Sequence, residues 1–249
     1  METFLPLGPL LNQSLLLMTR KIAILQSNYI PWKGYFDLMA SVDEFIIYDE
    51  VQFTRQDWRN RNRIKTADGP KWLTIPVAQK GRMEKNISEI EVLYDSRWAH
   101  KHWATICQNY LKAPFFKAFQ APFQAFYEAL PERKLSLSAI NYELIQIINQ
   151  ILGIHTPILN SADFEMQGDR CQRLIHLCQQ RSASHYLSGP AAQSYLDESL
   201  FQKAGIEVQW MDYSRYPEYP QLYPPFDHAV SVVDLIFNVG PDALSYLSA

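Results

Sequence analysis

The chain has little of what the more specialised sequence classes require. It carries three cysteines, Cys107, Cys171 and Cys178, in 249 residues, and none forms a C-x-x-C pair. That excludes a disulfide framework and points to a reducing, cytoplasmic setting. There is no basic excess: the net charge is −3 at pH 7, which argues against a general nucleic-acid binder. No apolar run approaches the ~20 residues needed to cross a bilayer, so no membrane span is expected. Internal repeats and low-complexity tracts are missing. So are G-x-G-x-x-G, the glycine-rich lysine loop and the G-x-S-x-G nucleophile turn.

What is present reads as one sizeable globular core, since 47% of the residues are apolar. Residues 1–17 hold Glu2 but no Lys or Arg ahead of Leu15-Leu16-Leu17, and no small-residue cleavage site. They make a poor secretory signal. Met18 leads directly into the first strand, so the expectation is a dispensable tail over 1–17 and a single domain over 18–249.

Ile22-Ala23-Ile24-Leu25 is a short apolar run bounded by polar residues, the pattern of a strand buried on both faces. A helix over about 33–41 and a strand at Glu44-Phe45-Ile46-Ile47-Tyr48 complete a βαβ unit. Ile64 and Trp72-Leu73-Thr74-Ile75-Pro76-Val77 predict two strands joined by the Asp68-Gly69-Pro70 turn. Residues 79–86, with Gly81, predict a flexible loop over the site, and 87–93 a returning strand. A helical section follows over 97–152, with a break at Leu130-Pro131. Within it Leu137, Ile140, Leu144, Ile147, Ile148 and Ile151 step by three and four, and Gly153 is the stop.

Beyond it, Asp169 and Gln172 form a capping pair, and Cys171, Leu174, Ile175 and Cys178 share one helix face, which makes the two cysteines core residues. Tyr186-Leu187 is a strand entering a second strand-to-helix turn, Ser188-Gly189-Pro190. Residues 206–211 form the last strand and 231–238 a final helix ended by Gly240-Pro241. The class is therefore α/β, with a parallel-type sheet of Rossmann-related, nucleotidylyltransferase-like character and a helical middle section.

Two segments carry candidate chemistry. The turn after the first strand, Gln26-Ser27-Asn28-Tyr29-Ile30-Pro31-Trp32-Lys33-Gly34-Tyr35, has the topology of a phosphate-binding turn at a helix N-terminus. Nucleotidylyltransferases carry His-x-Gly-His at such a turn; only Gly34 matches it here, so Lys33, Gly34 and the helix N-terminus are left to hold a phosphate. The second segment holds Arg55, Trp58, Arg59, Arg61, Arg63 and Lys65. On a strand, Arg59, Arg61, Arg63 and Lys65 share one face and could grip a pyrophosphate, with Trp58 stacking on a base or sugar. The competing reading is a solvated basic face paired with nearby acids.

Asp43, Asp49, Glu50 and Asp57 are candidate bases or Mg²⁺ ligands, and Asp49 stands at the end of the second strand, where α/β folds bind ligands. Among the histidines, His185 is the acid/base candidate because it precedes the second site strand. His100 and His102 form an H-x-H, but positions i and i+2 on a helix point apart, so no metal site is assigned. Ser188 and Gly189 offer a second phosphate contact or, equally, a helix cap.

Several stretches together resemble the WbqC-like family: Gln26-x-x-Tyr29-x-Pro31-Trp32-x-Gly34-Tyr35-Phe36, Asp49-x-Val51-Gln52-Phe53, Trp58-x-Asn60-Arg61-Asn62-x-Ile64-Lys65 and Trp72-Leu73-x-x-Pro76-Val77. Further along, Tyr186-Leu187-Ser188-Gly189, Tyr216-Pro217-x-Tyr219-Pro220-Gln221 and Ser231-x-x-Asp234-Leu235-x-Phe237-Asn238-x-Gly240 extend the resemblance. One departure is Ser27, where the family usually has Pro. The resemblance implies a bacterial protein of O-antigen, lipopolysaccharide or other surface-polysaccharide biosynthesis. Its substrate would be a small anionic nucleotide or nucleotide sugar, with Gln26, Tyr29, Tyr35, Asn60 and Asn62 added to the binding set. The expected activity is a transferase-type group transfer, Mg²⁺ being a candidate cofactor and an oligomer compatible. The alternative is a non-catalytic binding or assembly module of a glycan-biosynthesis complex.

Overall fold

Alternation along the central strands divides the core in two. Ile22 and Ile24 point to one side of the sheet with Ile46, Tyr48 and Tyr186, while Ala23, Phe45, Ile47 and Leu187 point to the other. Helices cover both sides, which is why these strands read as unbroken apolar runs. The computed structural model describes residues 19–78 and 84–247. The expected tail over 1–17, and residues 79–83 of the expected 79–86 loop with Gly81, lie outside the described residues.

The elements follow in the order β1 (Lys21–Leu25), α1 (Lys33–Ala40), β2 (Glu44–Ile47), β3 (Arg61–Ile64), β4 (Lys71–Thr74), α2 (Trp98–Tyr110), α3 (Phe116–Arg133) and α4 (Leu137–Leu152). Then come β5 (Ile158–Asn160), α5 (Arg170–Gln180), β6 (His185–Ser188), α6 (Glu198–Lys203), β7 (Glu207–Trp210) and α7 (Val232–Val239). Five strands pair in parallel in the order β5-β2-β1-β6-β7, and β3 and β4 form a separate antiparallel pair. The chain runs outward from β1 through β2 to β5, then returns to the opposite flank of β1 for β6 and β7. Strand order therefore reverses between β1 and β6. In open parallel sheets the crevice outside the carboxyl ends at such a reversal is where ligands bind.

The two helical layers are unequal. α5 and α6 supply Cys171, Leu174, Ile175, Cys178 and Phe201 to one side, so both cysteines are core residues. The other side takes α1, α7 and the middle section α2 to α4. Local chemistry sets the boundaries. Asp169 Oδ1 accepts from Gln172 N at 2.9 Å while Gln172 Oε1 accepts from Asp169 N at 2.9 Å, a reciprocal cap on α5. Gly153, at φ 70°, ends α4 in the left-handed conformation that glycine tolerates.

Three expectations need correction. Pro131 does not separate two helices: it sits in the last turns of α3, which continues to Arg133 and stops at Lys134, φ 48°. Pro131 lacks the N–H that would bond Tyr127 O, a single missing bond that the helix tolerates so close to its end. Residues 87–93 are not a strand; Asn86 and Glu89 cap a single 3₁₀ turn at Ile87–Glu89, leaving only a bridge between Val92 and Val77. The turn after β6 enters a 3₁₀ segment, Pro190–Ser194, rather than an α-helix.

Candidate functional site

β1 and β6 end side by side, and a cleft of about 360 Å³ opens beyond them. Its walls include Gln26 from the end of β1, Ser188 and Gly189 from the end of β6, Thr54, Asp57 and Arg59 from the loop before β3, and Arg170 and Tyr195. This is the reversal point of the strand order, and the volume falls in the range of small-ligand sites. The cleft brings together Gln26, Arg59, Ser188 and Gly189 from the residues that sequence singled out for binding.

Arg59 is fixed from several directions. Its Nη2 donates to Gln26 Oε1 at 3.1 Å, its Nη1 donates to Asn28 Oδ1, and Asp57 Oδ2 lies 3.7 Å away. Asp57 also accepts from Thr54 Oγ1 and, at 2.7 Å, from Trp58 N. A fixed guanidinium presented to a cleft is preorganised to meet a phosphate or carboxylate. On the facing wall the Arg170 guanidinium lies 4.5 Å from the Tyr195 ring centroid. Arg170, Tyr195 and Thr54 were missed by motif reading, and Gln52, which stands in the Asp49-x-Val51-Gln52-Phe53 motif, was given no site role. The capping pair at Asp169 and Gln172 already marked Arg170 as the first residue of a helix, but nothing local said which end of the sheet that helix faces.

The turn after β1 is strained and clamped. Ile30 is fully buried with φ 35°, uncommon for a β-branched residue. Asn62 Nδ2 donates to Ile30 O at 2.9 Å and to Tyr29 O at 3.2 Å, and Tyr29 N donates to Trp58 O at 3.0 Å. Asn62 therefore spends its amide holding the turn. Asp49 is 1% exposed beneath it, accepting from Ser27 N at 2.8 Å, from Ser27 Oγ at 2.6 Å and from Ser138 Oγ.

The remaining singled-out residues lie apart from the cleft. Tyr29 is buried toward the helical layer, its hydroxyl 2.8 Å from His102 Nδ1 and 2.5 Å from Tyr127 Oη; burial pushes the His102 imidazole down to about 4. Tyr35 donates to Gln26 O at 3.3 Å, supporting the cleft from behind. Lys33, 2% exposed, donates to Pro217 O at 3.3 Å and lies over the Tyr216 ring at 4.6 Å; burial lowers its ammonium to about 8. Gly34 leaves room for Trp32: a Cβ there would meet the indole Cζ2 at 2.3 Å. His185 stands at the opposite end of β6 from Ser188, 2.8 Å from Ser184 Oγ and 3.6 Å from Glu207.

The basic run does not converge. Arg61 and Arg63 share a face of β3, both over the Trp72 ring, at 4.2 and 5.7 Å, but Arg61 Nη2 donates to Gln56 O at 2.6 Å and Arg63 to Ala229 O. Asn60 Nδ2 bonds Ile75 O at 2.9 Å, in a separate hollow of about 280 Å³ that Arg55 and Arg61 also line. Lys65 is 4% exposed and its ammonium donates to Pro225 O. Close to Lys65, Asp234 is fully buried and accepts from Tyr110 Oη at 2.8 Å, Tyr219 Oη at 2.7 Å and Gln221 Nε2 at 2.8 Å. Burial still raises its carboxyl, the hydrogen bonds and Lys65 opposing. Trp58, 43% exposed, flanks a second cleft of about 330 Å³ with Trp32, Asn28, Asn62 and Ala229.

Among the described residues no group of three or more His, Cys, Asp or Glu side chains gathers as a metal site, and no helix is long and apolar enough to cross a membrane. A single Mg²⁺ accompanying a phosphate would find Asp57 as the carboxylate of the cleft wall.

The model of the WbqC-like protein family matches residues 26–246. A Mycobacterium tuberculosis (strain ATCC 25618 / H37Rv) protein called "Uncharacterized protein Rv1507c" is 48% identical over 228 residues, covering 92% of this chain and 97% of its own. No solved structure matches. The chain belongs to the WbqC-like protein family.

Proposed function

We propose that this member of the WbqC-like family binds a nucleotide-linked sugar in the cleft between the ends of β1 and β6 and acts on it by group transfer, in O-antigen or other surface-polysaccharide biosynthesis. The observation that carries the reading is the meeting of Gln26, Arg59, Ser188 and Gly189 at the point where strand order reverses. There the Arg59 fork would bind diphosphate oxygens, Ser188 Oγ and the backbone after β6 would take a further oxygen, and Tyr195 would lie beside a base or ribose. A nucleotidylyltransferase-like ancestry fits the strand order.

Calorimetric titration with UDP-, GDP- and dTDP-glucose, with and without Mg²⁺, tests the reading. Micromolar binding to at least one, lost in Arg59→Ala, is the expected result. No binding to any of them by a folded wild-type protein overturns it.

One observation favours a non-catalytic module instead: Asp49 is 1% exposed and fully engaged by serines, and Asp57 is tied to Arg59 and Thr54. NMR of the bound sugar in the presence of a bacterial extract as acceptor source separates the two. Conversion of the sugar supports transfer; a ligand that stays bound and unchanged supports the module.

A further inference from the structure

The second cleft lies against the first, sharing the Arg59–Asn28 hydrogen bond as its partition. Its composition is distinct. Trp58 and Trp72 are 43% and 41% exposed, their rings 5.5 Å apart. Indoles are usually covered in a folded chain, and an exposed one that lines a hollow, as Trp58 does with Trp72 behind it, marks a candidate binding surface. Trp32 is held edge-on by Tyr213 at 5.0 Å and Tyr216 at 6.0 Å, with the missing Gly34 side chain giving its ring room.

Among the described residues lining this cleft, the side-chain amides differ in what they have left to offer. Asn62 is used up by the turn, its Nδ2 on Tyr29 O and Ile30 O and its Oδ1 on Arg63 N. Asn28 is 8% exposed and gives its Oδ1 to Arg59, while its Nδ2 donates to no described residue. That Nδ2 is not among the enclosed unpartnered atoms, so it is open to the cleft, where a ligand oxygen can accept from it. Two indole rings and one amide donor are the chemistry that receives a pyranose: its C–H face packs on an indole and a hydroxyl accepts from the amide.

We infer that the Trp32–Trp58 cleft is the sugar subsite, taking a pyranose ring against Trp58 with a ring hydroxyl on Asn28 Nδ2. The inference rests on the nucleotide reading of the first cleft. A diphosphate seated on Arg59 leaves its nucleoside in the first cleft and directs its sugar across Asn28 into the second.

The test uses the full chain, three free nucleotides (UDP, GDP and dTDP), their glucose conjugates, and methyl β-D-glucopyranoside. In Trp58→Ala, calorimetry should show the free nucleotide bound within about twofold of wild type. The conjugate should be weakened about tenfold, the equivalent of one aromatic stacking contact. Trp58→Phe should restore most of it, and a thermal melt confirms that each variant is folded. Saturation-transfer NMR should show contact from protein to the pyranose ring protons in wild type and its loss in Trp58→Ala.

Equal weakening of nucleotide and conjugate overturns the inference by placing Trp58 against the base. So does unchanged conjugate binding in Trp58→Ala, or a change in sedimentation without a change in sugar binding, which assigns the indoles to a second copy of the chain. If no nucleotide binds wild type, the nucleotide reading fails. The methyl glucoside then decides the sugar subsite alone, and absence of saturation transfer overturns it.

Discussion

Arg59 and Asn28 form the wall between two clefts: one guanidinium nitrogen donates to Asn28 Oδ1 and the other to Gln26 Oε1 at 3.1 Å. A single cation thereby fixes both the end of β1 and the partition behind which the indoles lie. The proposed binding rests on this cation rather than on the basic run as a whole.

Removing Arg59 should therefore cost far more than removing a neighbouring arginine. Arg59→Ala is expected to weaken nucleoside diphosphate binding at least tenfold, the scale of about 1.5–3 kcal/mol for a hydrogen bond to a charged group. Arg61→Ala, whose guanidinium packs on Trp72 and Gln56 O, should stay within about twofold. Titrations of both variants at one ionic strength check the contrast, and equal losses would refute it.

Gly34 is expected to resist substitution for a steric reason. The methyl of Gly34→Ala would lie 2.3 Å from Trp32 Cζ2, so the indole must move, at a cost of about 1–3 kcal/mol. A lowered melting temperature with an altered near-ultraviolet circular dichroism band is the expected signature. A purely phosphate-binding role for Gly34 would leave both unchanged in the ligand-free protein.

Asp49 joins the end of β2 to the turn after β1 and to α4, through Ser27 and Ser138. Asp49→Ala leaves the buried Ser27 N–H without a partner and should cost about 3 kcal/mol. Asp49→Asn keeps an acceptor and should cost less. Urea midpoints measure both. Wild-type midpoints accompanied by lost turnover would instead make Asp49 a reacting group.

His102 sets an acid limit. Its folded pKa of about 4 lies below the ordinary 6.5, because burial disfavours the charged ring. Between these values the unfolded chain binds the extra proton, so stability rises with pH across that window and is lost on acidification. The full effect is on the order of 3 kcal/mol. His102→Gln, which keeps a partner for Tyr29, should flatten the stability profile between pH 4 and 6.5. An unchanged slope would mean that another group governs the acid limb.

Elements whose causes are local were legible from the chain alone. Ile22 to Leu25 could only satisfy four consecutive apolar side chains between two layers, and Asp169 with Gln172 fixed the start of α5. Gly153 supplied the stop for α4, and the spaced motifs carried the family. What it could not show was which side chains meet. Alternation aligned Arg61 with Arg63, but β3 has only four residues, so Arg59 and Lys65 fall outside it and turn elsewhere. Ser188 meets Gln26 only because β6 returns to the free flank of β1. Likewise Gly34, read as part of a phosphate turn, owes its place to an indole pressed against its backbone. Tertiary structure decided these matters, because the direction of a side chain depends on what covers it, and the covering groups come from distant parts of the chain.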